Sequence, residues 1–268
     1  MAIVLSTLYI YPVKSCAPLM LSGAQVEPRG LAYDRRWMVV DADGKFMTGR
    51  KHPRMTLIQS VAADCDGVRI AAPGMPGIAL TTAVCATPRI DVRVWGDTVS
   101  VRAAAADANA WITRFLGMPA RFVYMDETST RAVDPNHARV GDVVSFADGY
   151  PLLLIAQASL DGLNARLGEP VPMARFRPNL VVDGTTAHAE DGWRRIRIGA
   201  VEFEGIKACT RCVFTTVDPT QGAFDPTGEP LRTLAGYRRR EEGITFGQNF
   251  IARGTGTIVS GDTLEVLD

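Results

Sequence analysis

Apolar residues come in short runs rich in Val, Ile, Thr and aromatic side chains, cut at close intervals by Gly, Pro, Asn and Asp. This pattern predicts strands over most of the chain. Residues 3–13 open with one such run. Residues 37–40 and 46–48 flank Asp41-Ala42-Asp43-Gly44, the composition of a hairpin turn. Residues 92–95 and 98–101 are separated by Gly96-Asp97, a two-residue loop with glycine where a type II′ turn needs positive φ. The period changes between Ala106 and Met118, where Ala108, Trp111, Ile112, Phe115 and Leu116 share one helical face and Gly117 supplies the stop. A strand over 121–125, a polar loop rich in Asp, Thr and Pro, and an apolar run over 151–155 follow. Ser159 reads as the start of a short helix to Leu167, closed by Gly168. Later strands are expected at 180–182, at 195–203 around the Gly199-Ala200 turn, at 212–217, and two or three more after Ile244.

Alternating patterns broken by so many turns predict a mainly β protein with short helices (α+β), closed or nearly closed, rather than a doubly wound parallel sheet. The chain has 268 residues, enough for two modest domains. The helix that ends the first half places the boundary at 122/123, with a β-rich, barrel-like domain over 1–122 and a second β-barrel over 123–268. Hydrophobic residues make up 47% and charged residues 22%, which excludes a mostly disordered chain. Lys+Arg and Asp+Glu are both 29, so no global field gathers nucleic acid or an anionic membrane, and any anion site must be local. Residues 2–13 lack the basic n-region and the small-residue cleavage site of a secretory signal. The uncharged run 70–88 is broken by Pro73, Gly74, Pro76 and Gly77. A soluble, cytoplasmic protein that binds neither nucleic acid nor membrane is expected.

Only four of the basic residues are lysines and twenty-five are arginines, a balance suited to planar oxyanion recognition or simply a mark of composition. The five cysteines, Cys16, Cys65, Cys85, Cys209 and Cys212, are odd in number and scattered apart from one close pair, so reduced thiols are expected. That pair lies in Lys207-Ala208-Cys209-Thr210-Arg211-Cys212-Val213-Phe214. Two thiols at this spacing suit a redox dithiol, half of a zinc site, one catalytic ligand beside a bystander, or buried cysteines without chemistry. A four-ligand zinc site would need a partner pair, and His52, His137 and His188 are isolated. A thioredoxin-type motif belongs between a strand and a helix, whereas Cys212 is expected to open a β-branched run. Lys207 and Arg211 flank the thiols and favour thiolate, the form that binds a soft metal. Three further segments put cations beside turns: Tyr11-Pro12-Val13-Lys14-Ser15-Cys16, Tyr33-Asp34-Arg35-Arg36-Trp37 and Arg175-Phe176-Arg177-Pro178-Asn179. Each alone is more often a solvated face or an ion pair, while together they offer forked donors for a phosphate or a polar heterocycle.

In combination these segments, with Glu190-Asp191-Gly192-Trp193, the run 209–219, Phe246-Gly247-Gln248 and Gly261-Asp262, resemble the MOSC family, the molybdenum cofactor sulfurase C-terminal domain. The resemblance is to the subgroup with a preceding N-terminal β-barrel domain, to which the mitochondrial amidoxime-reducing components belong. It covers nearly the whole chain. It implies a molybdenum cofactor held between two domains, with the metal bound by a pyranopterin dithiolene and by the second cysteine of the Cys-x-Arg-Cys motif, here Cys212. It implies cofactor contacts at Lys14, Ser15, Arg35, Arg177 and Asn179, with Thr210 and Arg211 lining the ligand loop. Thr210 departs from the serine frequent in relatives, a tolerable hydroxyl swap. The implied reaction is two-electron N–O reduction of N-hydroxylated compounds, including amidoximes and N-hydroxylated nucleobases. The alternative is a molybdenum cofactor or sulfur carrier without turnover. Asp218 is a weak candidate for proton delivery. The Gly254-Thr255-Gly256 stretch lies among expected terminal strands rather than before a helix, and the four other cysteines are unlike a ferredoxin set. A separate flavoprotein or ferredoxin-type electron donor is therefore expected.

Overall fold

The computed structural model of the chain describes residues 2–83 and 88–268. Cys85 lies outside the described residues. Seven strands close on themselves. Leu152–Ala156 runs parallel to Leu180–Asp183, which pairs with Ile3–Ile10. From there the ring continues through Thr263–Val266, Arg195–Ile198, Val201–Thr210 and Gly243–Ala252, and the last closes back onto Leu152–Ala156. Leu5, Leu8, Ile10, Leu154, Leu180, Val182, Ile196, Ile198, Phe203 and Phe250 are buried together as its main core. The inward set of the first strand changes parity between Leu5 and Leu8 because the register shifts between Leu5 and Thr7, as a bulge requires. The expected mainly β, closed architecture is the one observed.

The first strand thus belongs to the same ring as the last. Gly23–Glu27 likewise pairs with Gly256–Val259. Between these segments the chain builds a four-stranded antiparallel sheet in the order Trp37–Val40, Arg121–Tyr124, Asp97–Ala103, Ile90–Val94. Trp37–Val40 and Arg121–Tyr124 bury side chains on both faces, whereas Asp97–Ala103 and Ile90–Val94 bury one. Met38, Val40, Val92, Val94, Val99, Val101 and Val123 pack on one side. Trp37, Val39 and Phe122 pack on the other against Trp111, Ile112 and Phe115 of the helix Ala106–Leu116. That helix ends at Gly117 in the left-handed conformation, as its sequence predicts. A three-stranded meander, Gln59–Asp64, Gly67–Ala72 and Met75–Thr81, covers its far side with Val68, Ile70 and Leu80. Among the described residues no helix is long and apolar enough to cross a membrane.

Four local expectations are corrected. The hairpin after Val94 pairs Val94 with Asp97, so its loop is Trp95-Gly96 rather than Gly96-Asp97. Both alignments keep valine opposite valine, so hydrophobic pattern cannot choose between them. The choice falls to the loop: Trp95 takes φ 55°, its ring packs on Phe46 at 4.9 Å, and Arg131 holds Asp97 at 2.7 Å. Residues 46–48 form no full strand, only a bridge from Phe46 to Val40. The helix placed at 159–167 is Gln157–Asn164, because the Ser159 hydroxyl is buried against the Glu190 carboxylate at 2.8 Å rather than capping. Residues 212–217 do not open a strand. The ten-residue strand Val201–Thr210 carries the chain up to Thr210, and Val213–Thr216 is a 3-10 turn with Cys212 at its entry. The Thr215 and Thr216 hydroxyls bond back to the carbonyls of Cys212 and Val213, offering the backbone a local alternative to a ladder.

Candidate functional site

Three turns and one strand end meet in a cleft. After Ile10 the chain turns under the sheet of Trp37, with the Lys14 amide donating to the Trp37 carbonyl at 2.8 Å and Ser15 at φ 69°. Arg35 and Arg177, in two other turns, take φ 50° and 59°. A left-handed backbone at a residue other than glycine costs ~1–3 kcal/mol, and three such residues at one site mark a constraint that the surrounding packing imposes. From the barrel, Val201–Thr210 delivers Cys209 and Thr210 to the rim, and Cys212 follows. All eight metal and cofactor residues named from the sequence line this one cleft, which holds about 830 Å³ of free space counted out to solvent.

The cations differ in how they are held. Lys14 is buried, and its ammonium donates to the Phe146 carbonyl at 2.7 Å and to Asp148 Oδ1 at 2.6 Å. Burial pulls its pKa down to about 8 despite the carboxylate beside it. Arg35 reaches the fully buried Asp34 at 2.5 Å, Asn179 Oδ1 at 3.1 Å and the Arg177 carbonyl at 3.2 Å. Arg177 donates through Nη1 to the Cys16 carbonyl at 2.7 Å, while its Nη2 is buried with no partner. Burial lowers its pKa to about 10. Arg211 bonds Cys209 Sγ at 2.9 Å and the Phe176 carbonyl at 2.6 Å, and its Nε is also buried and unpartnered. Asn179 is mostly committed: its oxygen accepts from Arg35 and the Leu153 amide, and its nitrogen donates to the Tyr9 carbonyl. It braces Arg35 and leaves one N–H for a ligand. Thr210 is exposed at the rim.

Two functional-looking residues were missed from the sequence. Arg50 donates Nε to Cys212 Sγ at 3.0 Å and Nη2 to Asp148 Oδ2 at 2.8 Å, and Asp148 in turn receives Lys14. The only local signal was charge beside glycine, in Gly49-Arg50 and Asp148-Gly149. Asp218 is not in the cleft. Despite desolvation, which acts the other way, hydrogen bonds from Thr220 and Gln221 hold its carboxyl below the ordinary range, and Arg175 lies 3.5 Å away. That environment suits a fixed charge better than a proton donor.

Six cationic side chains and one carboxylate line the cleft. Unpartnered buried guanidinium nitrogens are costly unless a ligand takes them. With two thiols at the rim, the arrangement suits an oxyanion-bearing ligand whose other end meets a soft metal.

Residues 2–119 match the family model of the MOSC N-terminal beta barrel domain, and residues 141–265 match that of the MOSC domain. The chain is 37% identical to mouse (Mus musculus) mitochondrial amidoxime-reducing component 1, over 97% of this chain and 81% of that protein. It is 35% identical to the human (Homo sapiens) component 1, over 97% and 82%. Mitochondrial amidoxime reducing component 2 of cattle (Bos taurus) is 36% identical over 87% of this chain and 71% of its own length.

Proposed function

The chain belongs to the MOSC family, in the branch of the amidoxime-reducing components, and from that premise we propose that it is a molybdenum-cofactor-dependent reductase of N-hydroxylated compounds. The observation that carries the proposal is the pairing, in one cleft, of buried guanidinium nitrogens without partners and the Cys212 thiol that Arg50 holds beside them. Such a donor set fits a pterin that bears a phosphate and a metal that needs one thiolate. Cys212 would hold the metal, and Lys14, Ser15, Arg35 and Arg177 the phosphate end. Asn179, Thr210 and Arg211 would line the remainder. When bound, the cofactor supplies two-electron reduction of an N–O bond, with water as the second product.

The protein's own contribution is orientation and charge. Arg50 fixes the Cys212 side chain from across the cleft, and Asp148 fixes Arg50. Lys14 keeps Asp148 in place, so one ion-pair chain sets the rim on which a substrate would land. The electron source in this reading is a separate flavoprotein or ferredoxin-type protein. Gly254-Thr255-Gly256 follows the strand Gly243–Ala252 and enters the strand Gly256–Val259, which is not the strand-to-helix setting of a dinucleotide site. Protein purified with its cofactor should reduce benzamidoxime with reduced viologen, and should not sustain turnover with NADH or NADPH alone. Transfer of cofactor to an acceptor apo-enzyme with no reduction would instead support the carrier reading.

Anion affinity should depend on pH through Lys14. Its ammonium is charged below about 8 and neutral above, so the attraction is present on the acid side and lost as pH rises. One charge-assisted hydrogen bond is worth ~1.5–3 kcal/mol, roughly ten- to a hundred-fold. Sulfate, whose charge is constant over this range, should therefore bind the cofactor-free protein more weakly at pH 9 than at pH 7. Lys14→Met should flatten the dependence, which titration calorimetry would read directly.

A further inference from the structure

Tyr11 is fully buried beside the cleft, and two guanidinium groups sit over its ring, Arg177 at 4.1 Å and Arg35 at 4.4 Å from the centroid. Its hydroxyl donates to the Pro178 carbonyl at 3.1 Å, and its amide donates to Asp34 Oδ1 at 2.7 Å, so the ring is held at both ends. Two like charges over one ring repel each other, and each needs compensation. Arg35 has it in Asp34. Arg177 has no carboxylate within ion-pair distance among the described residues; it has the Cys16 carbonyl on one nitrogen, an unpartnered second nitrogen, and the aromatic rings of Tyr11 and Phe214. The face of an aromatic ring attracts a cation without neutralising it. A carboxylate in the same place would hold Arg177 as firmly, but it would occupy the nitrogen a ligand needs and cancel the charge that attracts it.

We propose that Tyr11 is a positioning residue that takes the place of a counter-ion for Arg177, holding both guanidinium groups ready for a phosphate dianion. This rests on the reading of the cleft as a site for a phosphate-bearing cofactor, and extends it to a residue outside the expected contact set. The phosphate could arrive as the monoester of the pterin or as the free ion, and both present the same oxygens. Holding the arginines in advance removes the ordering cost that two long side chains would otherwise incur on binding.

The test is calorimetric titration of the cofactor-free protein with inorganic phosphate. The wild-type chain is expected to bind, and Tyr11→Phe, which keeps the ring, to bind within about twofold of it. Tyr11→Leu and Tyr11→Met should bind about tenfold more weakly, the cost of two arginines that must be ordered on binding. A folded Leu or Met variant that binds as tightly as wild type overturns the proposal. A second measurement needs no substitution at Tyr11. In the wild-type protein, the side-chain Nε–Hε proton resonances of Arg35 and Arg177, assigned through Arg35→Lys and Arg177→Lys, should be displaced upfield by the ring. Undisplaced resonances overturn the proposal even if the Leu and Met variants do not fold. Failure of the wild-type chain to bind phosphate would count against the cofactor reading itself. Protein loaded with cofactor should no longer bind phosphate, which assigns the site to the monoester. Continued binding would assign it to free phosphate and contradict the cofactor reading while leaving the role of Tyr11 intact.

Discussion

Cys212→Ala should abolish both bound molybdenum and amidoxime reduction, whereas Cys209→Ala should keep the metal and at least part of the rate. Both thiols line the cleft, yet their surroundings differ. Cys209 lies near the end of a ten-residue strand, and the Arg211 guanidinium reaches it from the same loop. Cys212 lies at the entry of the 3-10 turn and is approached by Arg50 from the other side of the cleft, where Asp148 and Lys14 also gather. A metal bound there would meet one thiolate with a cation behind it, and soft metals favour such a ligand. Equal loss of molybdenum in the two variants, measured by elemental analysis, would remove Cys212 from its assigned place.

Arg35→Ala and Arg177→Ala should separate fold from binding. From the sequence Lys14, Arg35 and Arg177 look alike, all three implied as cofactor contacts. The structure separates them. Asp34 is fully buried, and Arg35 is the cation at 2.5 Å from its carboxylate. Removing one partner of a buried pair costs ~3–5 kcal/mol, since the remaining charge has no water to fall back on. Arg35→Ala should therefore unfold at a much lower denaturant concentration. Arg177 leaves no carboxylate behind, so Arg177→Ala should keep near-normal stability and lose roughly ten- to a hundred-fold in ligand affinity. Denaturant midpoints set beside cofactor content would show the contrast, and a stable Arg35→Ala protein would contradict it.

Local pattern was enough for elements whose chemistry is local. The helix Ala106–Leu116 shows its face through Trp111, Ile112 and Phe115 and its end through Gly117. The strand Arg121–Tyr124 and the turn at Gly199 are of the same kind. Closure was expected, but which strands make it was beyond reach, because the pairing of Ile3 with Leu264 joins the two ends of the chain and leaves no mark in either segment. The loop at Trp95 was missed because a two-residue shift keeps the same side chains on the same face. The expected strand after Cys212 failed because threonine hydroxyls can satisfy backbone carbonyls locally, which composition alone scores as β. Lys14, Arg35, Arg177 and Cys212, which the family resemblance singles out, all line the cleft. Arg50 and Asp148 were not legible in the sequence, since Arg50 acts across 162 residues to Cys212 and 98 to Asp148. Tyr11 stood in a quoted motif, but only the packing of two arginines over its ring gives it a role.

The central claim, that this cleft holds a molybdenum cofactor through Cys212 and its surrounding cations, is tested most directly by the molybdenum and pterin content of the purified chain. The protein would be produced in a host able to make the cofactor, with a known molybdenum enzyme loaded in parallel. The account predicts molybdenum and pterin approaching one of each per chain in the wild type and neither metal nor activity in Cys212→Ala. A wild-type chain free of molybdenum and pterin, from a host in which the control enzyme loads fully, would contradict it.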